Sequence, residues 1–129
     1  MIAVDTNVVV RLLTKDEESQ HAKSLKIFKA ESIFISDTVI LETVWVLRKA
    51  YSFEPAQICE LLRLLVGLPN VEVTSTHRLD QAIQWCTEGL DFADAFHLSC
   101  CQHCTALYTF DQKFILRAQS LTDCQVVKP

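Results

Sequence analysis

The sequence predicts an α/β fold in which a mostly parallel sheet is flanked by helices. Short apolar runs alternate along the chain with longer segments whose apolar residues recur at helical spacing. The first run, Ile2 to Val4, ends at Asp5 and leads at once into the helical pattern between Val8 and Leu13. Strands that alternate with helices in this way are typical of parallel sheets with helices on both faces.

Composition indicates one compact domain, which we expect to span residues 1–129. Half of the residues are hydrophobic and only 2 are Gly, which excludes a disordered chain. No apolar run is long enough to cross a bilayer and no signal peptide precedes Asp5, so we expect a cytoplasmic protein. The net charge of −4 does not exclude nucleic acid as a partner, because phosphate binding needs only a local basic patch.

Three helices and a second strand are expected after the first strand. Thr6 or Asn7 is placed to cap the first helix, and Asp16 is placed to cap the second. Residues 32–35 form a second apolar run, which predicts a strand. Ser36 and Asp37 then precede a third helix, expected from about residue 38 to residue 51.

The second half of the chain carries clear start and stop signals. Pro55 suits the first turn of a helix that ends at Gly67, Gly89 closes the next helix, and Asp91 is a plausible N-cap for the one after. The elements expected here are a helix at about 52–67, an edge strand at 70–74, a helix at about 76–89, a helix opened by Asp91, a strand at 106–110, a helix at 112–119 and a strand at 125–127.

The third helix is apolar on nearly all its faces, which indicates burial in a core or an interface. Glu42 is the charged residue within this apolar part. An unpaired carboxylate there would cost several kcal/mol or take up a proton. Glu42 therefore needs a basic partner, for example Arg11 or Arg48, or a bound cation.

Four acids are placed where a sheet edge brings them together. Asp5 and Asp111 follow buried strands, Asp94 lies in the helix that leads into the second of these strands, and Glu42 lies one turn into the helix after strand two. Several carboxylates in one pocket repel each other unless a cation compensates them, and oxygen ligands select Mg²⁺ or Mn²⁺. Such a site suits the hydrolysis of phosphate esters. Separate roles as helix caps are the alternative, and spacing alone leaves both open.

Four motifs in this order resemble the acidic motifs of PIN-domain nucleases. They are Asp5-Thr6-Asn7, the run from Leu41 to Leu47 that contains Glu42, the run Asp91-Phe92-Ala93-Asp94-Ala95, and Thr109-Phe110-Asp111. Each motif alone is weak, whereas the ordered set covers essentially the whole chain. The closest likeness is to the VapC-type toxins of bacterial toxin–antitoxin pairs.

The resemblance implies a three-layer α/β/α sandwich whose sheet of about five strands has the order 3-2-1-4-5. It also implies an endoribonuclease that depends on Mg²⁺ or Mn²⁺ and inhibits translation when free of its antitoxin. Asp5, Glu42, Asp94 and Asp111 take the catalytic and metal-binding positions.

The same resemblance implies further site residues and partners. Asn7 and Thr109 would orient the carboxylates or metal-bound water, and Asp91 would be a cap or an additional acid, of which the cap is favoured. The implied partners are RNA, a small VapB-like antitoxin that blocks the acidic pocket, and a second copy of the chain. Trp45 and the apolar helices around it favour such an interface.

The cysteines suggest a second kind of site. Cys100, Cys101, His103 and Cys104 resemble a zinc or redox cluster, but a fourth zinc ligand is missing and the Cys-x-x-Cys closes a helix instead of opening one. We interpret them as free thiols in apolar surroundings.

Three other functions compete with a nuclease. An aspartyl phosphatase would need a second Asp at position 7, where Asn7 stands, and a phosphorylated receiver module would need a Lys where Asp111 ends its strand. A non-catalytic module of the same fold is the third alternative, although all four acids are present.

Overall fold

The computed structural model describes residues 1–129 and divides into two compact units, Met1–Thr76 and His77–Pro129. The first unit contains β1 (Ile2–Ala3), α1 (Thr6–Thr14), α2 (Glu18–Ala30), β2 (Ile33–Ile35), α3 (Asp37–Lys49), α4 (Pro55–Val66) and β3 (Val71–Val73). The second contains α5 (Thr76–Thr87), α6 (Phe92–Ser99), β4 (Ala106–Tyr108), α7 (Gln112–Ala118) and β5 (Gln125–Val127), with α5 beginning at the last residue of the first unit.

Parallel pairing joins the strands within each unit. In the first unit β2 lies between β1 and β3, with Ile33 opposite both Ile2 and Val71. In the second unit β4 pairs with β5, with Tyr108 opposite Val127. The predicted α/β class, the five strands and the segments 3-2-1 and 4-5 of the strand order are therefore confirmed. The pairing of β1 with β4 and the three-layer arrangement stay predictions.

Unit one is held together by apolar side chains from every helix. β2 is buried because Ile33 and Ile35 are both inaccessible to solvent, whereas β3 is half-exposed, as expected for an edge strand. Its buried apolar side chains are Val4, Val9, Val10, Phe28, Ile33, Ile35, Ile40, Val44, Leu47, Ile58, Cys59, Leu62 and Leu65.

The caps of the first two helices differ from the prediction. Asp5, and neither Thr6 nor Asn7, is the N-cap of α1. Glu17, not Asp16, caps α2, and its carboxylate accepts a hydrogen bond from the N–H of Gln20. At α1 the neighbouring residues have similar capping ability. At α2 the carboxylate of Asp16 instead accepts hydrogen bonds from Arg11, Thr14 and Tyr51, and Glu17 serves as the cap.

Within this single chain the third helix is buried on one stripe only, so burial of its other faces in an interface stays a prediction. Its buried residues are Ile40, Thr43, Val44 and Leu47, at the spacing of a single helix face. Trp45 is 62% exposed and Glu42 is also exposed. Water therefore reaches the carboxylate of Glu42, and its ionised form does not need a buried partner.

Unit two begins with a helix whose end was well predicted. Gly89 adopts φ 112°, where only glycine fits without strain. The N–H of Leu90 donates to the carbonyl of Trp85 at 3.1 Å and that of Gly89 to Cys86 at 3.0 Å, which is a Schellman motif. Trp85 and Leu90 are both buried, so the chain enters α6 from a fixed direction.

None of the seven helices has both the length and the apolar character needed to cross a bilayer.

Replacing Asn70 with Ala should lower the free energy of unfolding by about 1–3 kcal/mol, because two hydrogen bonds are lost. The Nδ2 group of Asn70 donates to the carbonyls of Phe28 and Glu31, both at 2.7 Å, and so ties the start of β3 to the end of α2. Urea unfolding measures the change. Glu72→Ala, at an exposed position in β3, is the matched control and should change stability by less than about 0.5 kcal/mol. Equal stability of the two variants would contradict this role for Asn70.

Candidate active site

Asp5 stands at the end of β1 and caps α1. Its Oδ1 accepts a hydrogen bond of 3.2 Å from the N–H of Val8, and the residue is exposed. Oδ2 accepts no hydrogen bond in the first unit. Capping therefore fixes the direction of the carboxylate and leaves one oxygen for another ligand.

Glu42 is held near Asp5 by a hydroxyl group. The side chain of Thr6, the residue after Asp5, is buried and donates a hydrogen bond to Oε1 of Glu42. The contact joins the first turn of α1 to the first turns of α3, and Oε2 of Glu42 stays without a hydrogen bond. The first unit thus brings one pair of the four predicted acids into one neighbourhood. Nothing in the sequence distinguished Thr6 from an ordinary capping threonine.

Neither of the basic partners suggested for Glu42 forms an ion pair with it. Arg48 forms no ion pair, and Arg11 pairs with another residue. Arg11 forms an ion pair of 3.0 Å with Asp16, and also donates to Gln20 at 2.7 Å and to the hydroxyl of Tyr51 at 3.0 Å. Tyr51 in turn donates to Asp16 at 2.6 Å, and with Thr14 it lowers the pKa of that carboxyl. Burial lowers the pKa of Arg11, but Asp16 and Tyr51 raise it overall. Arg11 therefore links α1 to α2 and to Tyr51, which lies just after the end of α3.

A cleft of about 480 Å³ lies beside Asp5. Asn7 lines it with Asp5, and the exposed Lys23 of α2 contributes a positive charge. Lys23 is exposed on α2, and no sequence signal showed that this side of the helix faces Asp5. The cleft offers an anionic ligand the positive charge of Lys23 next to a carboxylate, and Arg11, which is ion-paired with Asp16, also lines it.

In the second unit, the pKa of Asp94 is raised above its ordinary value. It lies in the first turn of α6 and is half-buried. Burial raises its pKa, and the charges of Asp91 and Asp111 raise it further, while His97 lowers it. Its carboxylate accepts no hydrogen bond in this unit. Asp94 and Asp111 are therefore close enough to repel each other, and the convergence of all four acids stays a prediction.

Asp91 is confirmed as the N-cap of α6. Its Oδ2 accepts a hydrogen bond of 3.3 Å from the N–H of Asp94. Its charge also acts on Asp94, so the additional acidic role stays a prediction. His97 lies one turn further along the same helix and offsets part of this repulsion, although a lone helical histidine carries no clear sequence signal.

Asp111 caps α7 through one oxygen. Its Oδ1 accepts from the N–H groups of Lys113 at 2.9 Å and Phe114 at 3.1 Å, and Oδ2 accepts none in this unit. The hydroxyl of Thr109 accepts a hydrogen bond of 3.0 Å from the N–H of Asp111. Thr109 thus positions the backbone of Asp111, and its predicted role in orienting carboxylates or metal-bound water stays a prediction.

All four acids share the features of available metal ligands. Each keeps at least one carboxylate oxygen without a hydrogen bond, and none forms an ion pair with Lys or Arg within its own unit. Oxygen donors of this kind fit Mg²⁺ or Mn²⁺. Within either unit, no three His, Cys, Asp or Glu side chains are arranged to hold a metal ion.

The cysteine cluster differs in part from the expectation of buried thiols. Cys124 is buried and Cys100 and Cys101 are half-buried, but Cys104 is exposed. Burial raises the pKa of the Cys101 thiol, and Cys104, Cys124 and Cys100 add to this effect. These thiols are close to one another in the second unit.

Replacing Asp94 with Asn should stabilise the metal-free protein at neutral pH. The folded state raises the pKa of Asp94 above its ordinary value of 3.8, so ionisation favours the unfolded chain. The stability that the protonated group contributes is complete below the ordinary pKa and is lost as the pH rises through the raised value. The melting temperature of Asp94→Asn should therefore exceed that of the wild type at pH 7, and the difference should vanish below about pH 4.

Calorimetry in the presence of a chelator measures this difference. Asp80→Asn, at an exposed position of α5, controls for the loss of one negative charge from the second unit. A lower melting temperature for Asp94→Asn at pH 7 would contradict the repulsion assigned to Asp94.

A family model described as PIN domain matches residues 2–119, a range that extends across both units. Among solved structures, the chain is similar to the sarcin–ricin-loop-cleaving toxin VapC20 of Mycobacterium tuberculosis. The identity is 18% over 97% of this chain and 99% of that chain, with a TM-score of 0.44. No curated protein shows significant similarity to the chain.

Proposed function

The chain belongs to the PIN-domain family, and from this premise we propose that it is a Mg²⁺- or Mn²⁺-dependent endoribonuclease. The observation that supports this most is the pairing of the four predicted acids. Thr6, the residue beside Asp5, donates a hydrogen bond to Glu42, and Asp111 acts on Asp94 through its charge. The repulsion between Asp94 and Asp111 would be relieved by a bound divalent cation.

Asp5 and Asp94 would hold the metal ion, and Glu42 and Asp111 would complete its oxygen ligands directly or through water. When bound, the ion activates water and neutralises the charge that develops on the phosphate. The chain's own contribution is orientation. The helix caps fix Asp5 and Asp111, the Thr6 hydroxyl fixes Glu42, and Thr109 fixes the backbone of Asp111. Preorganised ligands of this kind avoid the cost of reorganisation during the reaction.

We further propose that the enzyme is the toxin of a type II toxin–antitoxin pair and inhibits translation when it is free of its antitoxin. The exposed apolar side chains of the first unit support partners of this kind. Trp45 is 62% exposed on α3, and Leu64 is 65% exposed on α4. An antitoxin segment and a second copy of the chain would cover such surfaces, and the antitoxin would also block the acidic residues.

Sequencing of RNA ends tests the proposed activity. Purified protein is incubated with total RNA and Mg²⁺, and we expect discrete cuts that leave 5′-phosphate and 3′-hydroxyl ends. The control is Asp94→Asn at equal concentration, which should make none of these cuts. RNA that stays intact with the wild type, or a stable aspartyl phosphate after incubation with acetyl phosphate, would contradict a nuclease.

A matched experiment in cells tests the toxin role. Expression of the chain alone should stop growth, whereas expression with the small reading frame adjacent to its gene should restore it. The Asp94→Asn variant should be harmless in both cases. Equal growth of cells that express wild type and variant alone would contradict a toxin.

A further inference from the structure

The cleft beside Asp5 is formed by one face of α2 together with the first turns of α1. The residues of α2 that line it are Gln20, Lys23, Ser24 and Ile27, which follow the three- and four-residue spacing of a single helix face. Every lining residue belongs to the first unit. The whole cleft is therefore defined by side chains of one unit.

Ser24 gives this cleft a hydroxyl group that the fold does not use. The residue is only 4% exposed and lines the cleft, and its hydroxyl forms no hydrogen bond within the first unit. A helical hydroxyl commonly donates to the carbonyl four residues earlier, as that of Thr14 does to Val10 at 2.8 Å. Because a buried hydroxyl without a partner destabilises a protein, alanine would serve the packing better at this position. The hydroxyl of Ser24 is therefore available to a ligand in the cleft.

Two further donors in the cleft lack a partner in the first unit. Lys23 forms no ion pair with an acid of this unit. The Nε group of Arg11 donates to Oε1 of Gln20 at 2.7 Å. Because a guanidinium group can only donate, the amide oxygen of Gln20 faces Arg11 and its amide nitrogen is left to donate elsewhere. The cleft thus presents an ammonium group, a hydroxyl and an amide nitrogen that all need an acceptor.

A phosphodiester group of RNA has the chemistry that these donors require. It carries a negative charge and several acceptor oxygens, to which lysine, serine and glutamine side chains commonly donate. An acidic side chain of a protein could also pair with Lys23, but a strand that is cut beside Asp5 must pass this cleft and brings a phosphate with every nucleotide. The carboxylate of Asp5 repels such a phosphate, and a divalent cation bound to that carboxylate would offset the repulsion.

We propose that this cleft holds a backbone phosphate of the RNA next to the phosphate that is cut, with Lys23, Ser24 and Gln20 as positioning residues. This inference rests on the proposed function and adds the place where the strand is held. Contacts to phosphate fix the position of a strand and carry no sequence information, so the cleft orients the RNA at Asp5 without selecting its bases.

Cleavage kinetics of a short single-stranded RNA in saturating Mg²⁺ test the cleft. Lys23→Gln and Ser24→Ala should each raise KM by roughly tenfold, the effect of one lost hydrogen bond to a charged group. Both should leave kcat nearly unchanged, because the contact is the same in the bound substrate and in the transition state. Lys29→Gln is the matched control. It removes the same charge from an exposed position of α2 that does not line the cleft, and it should keep the KM of the wild type.

Salt dependence and thermal unfolding separate a phosphate contact from an effect on the fold. The slope of log(kcat/KM) against log salt concentration should become shallower by about 0.7 in Lys23→Gln, the share of one phosphate contact in a single strand. Lys29→Gln should keep the slope of the wild type. Ser24→Ala should not lower the melting temperature, because the hydroxyl that it removes has no partner in the first unit. A raised KM together with a lower melting temperature would make Ser24 a structural residue and overturn its contact with phosphate.

The other outcomes decide between this cleft and the proposed function. If Lys23→Gln and Ser24→Ala keep the KM and the salt slope of the wild type while RNA is cleaved, the phosphate site is wrong and the nuclease stands. If the wild type neither binds nor cleaves RNA, both proposals are wrong. A glutamate-rich peptide that binds the wild type but not Lys23→Gln, with KM for RNA unchanged, would assign the cleft to an acidic protein partner and overturn the phosphate site.

Discussion

Replacing Asp5 with Asn should reduce RNA cleavage by at least about 10²–10³-fold, the loss that follows removal of one preorganised electrostatic group. The same variant should fold with nearly unchanged stability. Asn is as good an N-cap as Asp, so the hydrogen bond from the N–H of Val8 is kept. What is lost is the negative charge on the second oxygen, which the proposed metal site requires. Cleavage of a fluorogenic RNA and thermal unfolding measure the two properties separately.

Two comparisons make this result specific. Asp5→Ala should lose the activity and in addition about 1 kcal/mol of stability, because the cap is lost as well. Glu72→Gln removes one exposed negative charge from the same unit and should retain full activity. Full activity in Asp5→Asn would show that Asp5 is a helix cap and no more, which is the alternative that its position at the start of α1 left open.

Removing divalent cations should abolish cleavage completely, and adding Mg²⁺ or Mn²⁺ should restore it. A cation that binds only the folded state stabilises it by mass action, by about 2.7 kcal/mol when its concentration is 100 times its dissociation constant. The melting temperature of the wild type should therefore rise with Mg²⁺ concentration. That of Asp5→Asn or Asp94→Asn should rise far less, because a carboxylate ligand is missing.

Differential scanning calorimetry across a Mg²⁺ titration measures this linkage independently of activity. Glu72→Gln should respond to Mg²⁺ as the wild type does, since its position lies in β3, away from the proposed ligands. An equal rise for wild type and Asp5→Asn would mean that the cation binds elsewhere on the protein.

Features controlled by local chemistry could be read from the sequence. Pro55 begins α4 and Gly67 follows its last residue, and Gly89 closes α5 because its φ of 112° suits glycine. The strands β2 and β5 lie where apolar runs predicted them. Asp91 also serves as the predicted cap of α6. In each case the signal and the structure it specifies lie within a few residues of each other.

Features that depend on which surfaces pack against each other could not be predicted from the sequence. An apolar run such as that of α3 does not show which face packs inward, so the exposure of Glu42 was not foreseen. Several acids could have paired with Arg11, and only the fold brings Asp16 and Tyr51 to it. The hydroxyl of Thr6 donates a hydrogen bond to Glu42, which lies 36 positions away in the sequence. No local sequence pattern predicts this contact.

The same distinction between local signals and long-range contacts applies to the candidate site. The identity of Asp5, Glu42, Asp94 and Asp111 followed from strand ends and motif order, because both are properties of the sequence. The residues that orient or offset these acids required the structure. Thr6 acts on Glu42 and His97 acts on the pKa of Asp94, and both effects depend on distances that no motif encodes.

The most direct measurement of the central claim is anomalous diffraction from crystals grown with Mn²⁺. The proposed site predicts a manganese peak bound by carboxylate oxygens of Asp5 and Asp94, with Glu42 and Asp111 as direct or water-bridged ligands. The same crystals of Asp5→Asn should lack it. A manganese peak away from these four side chains, or none at millimolar Mn²⁺, would contradict the proposed metal site and the nuclease mechanism built on it.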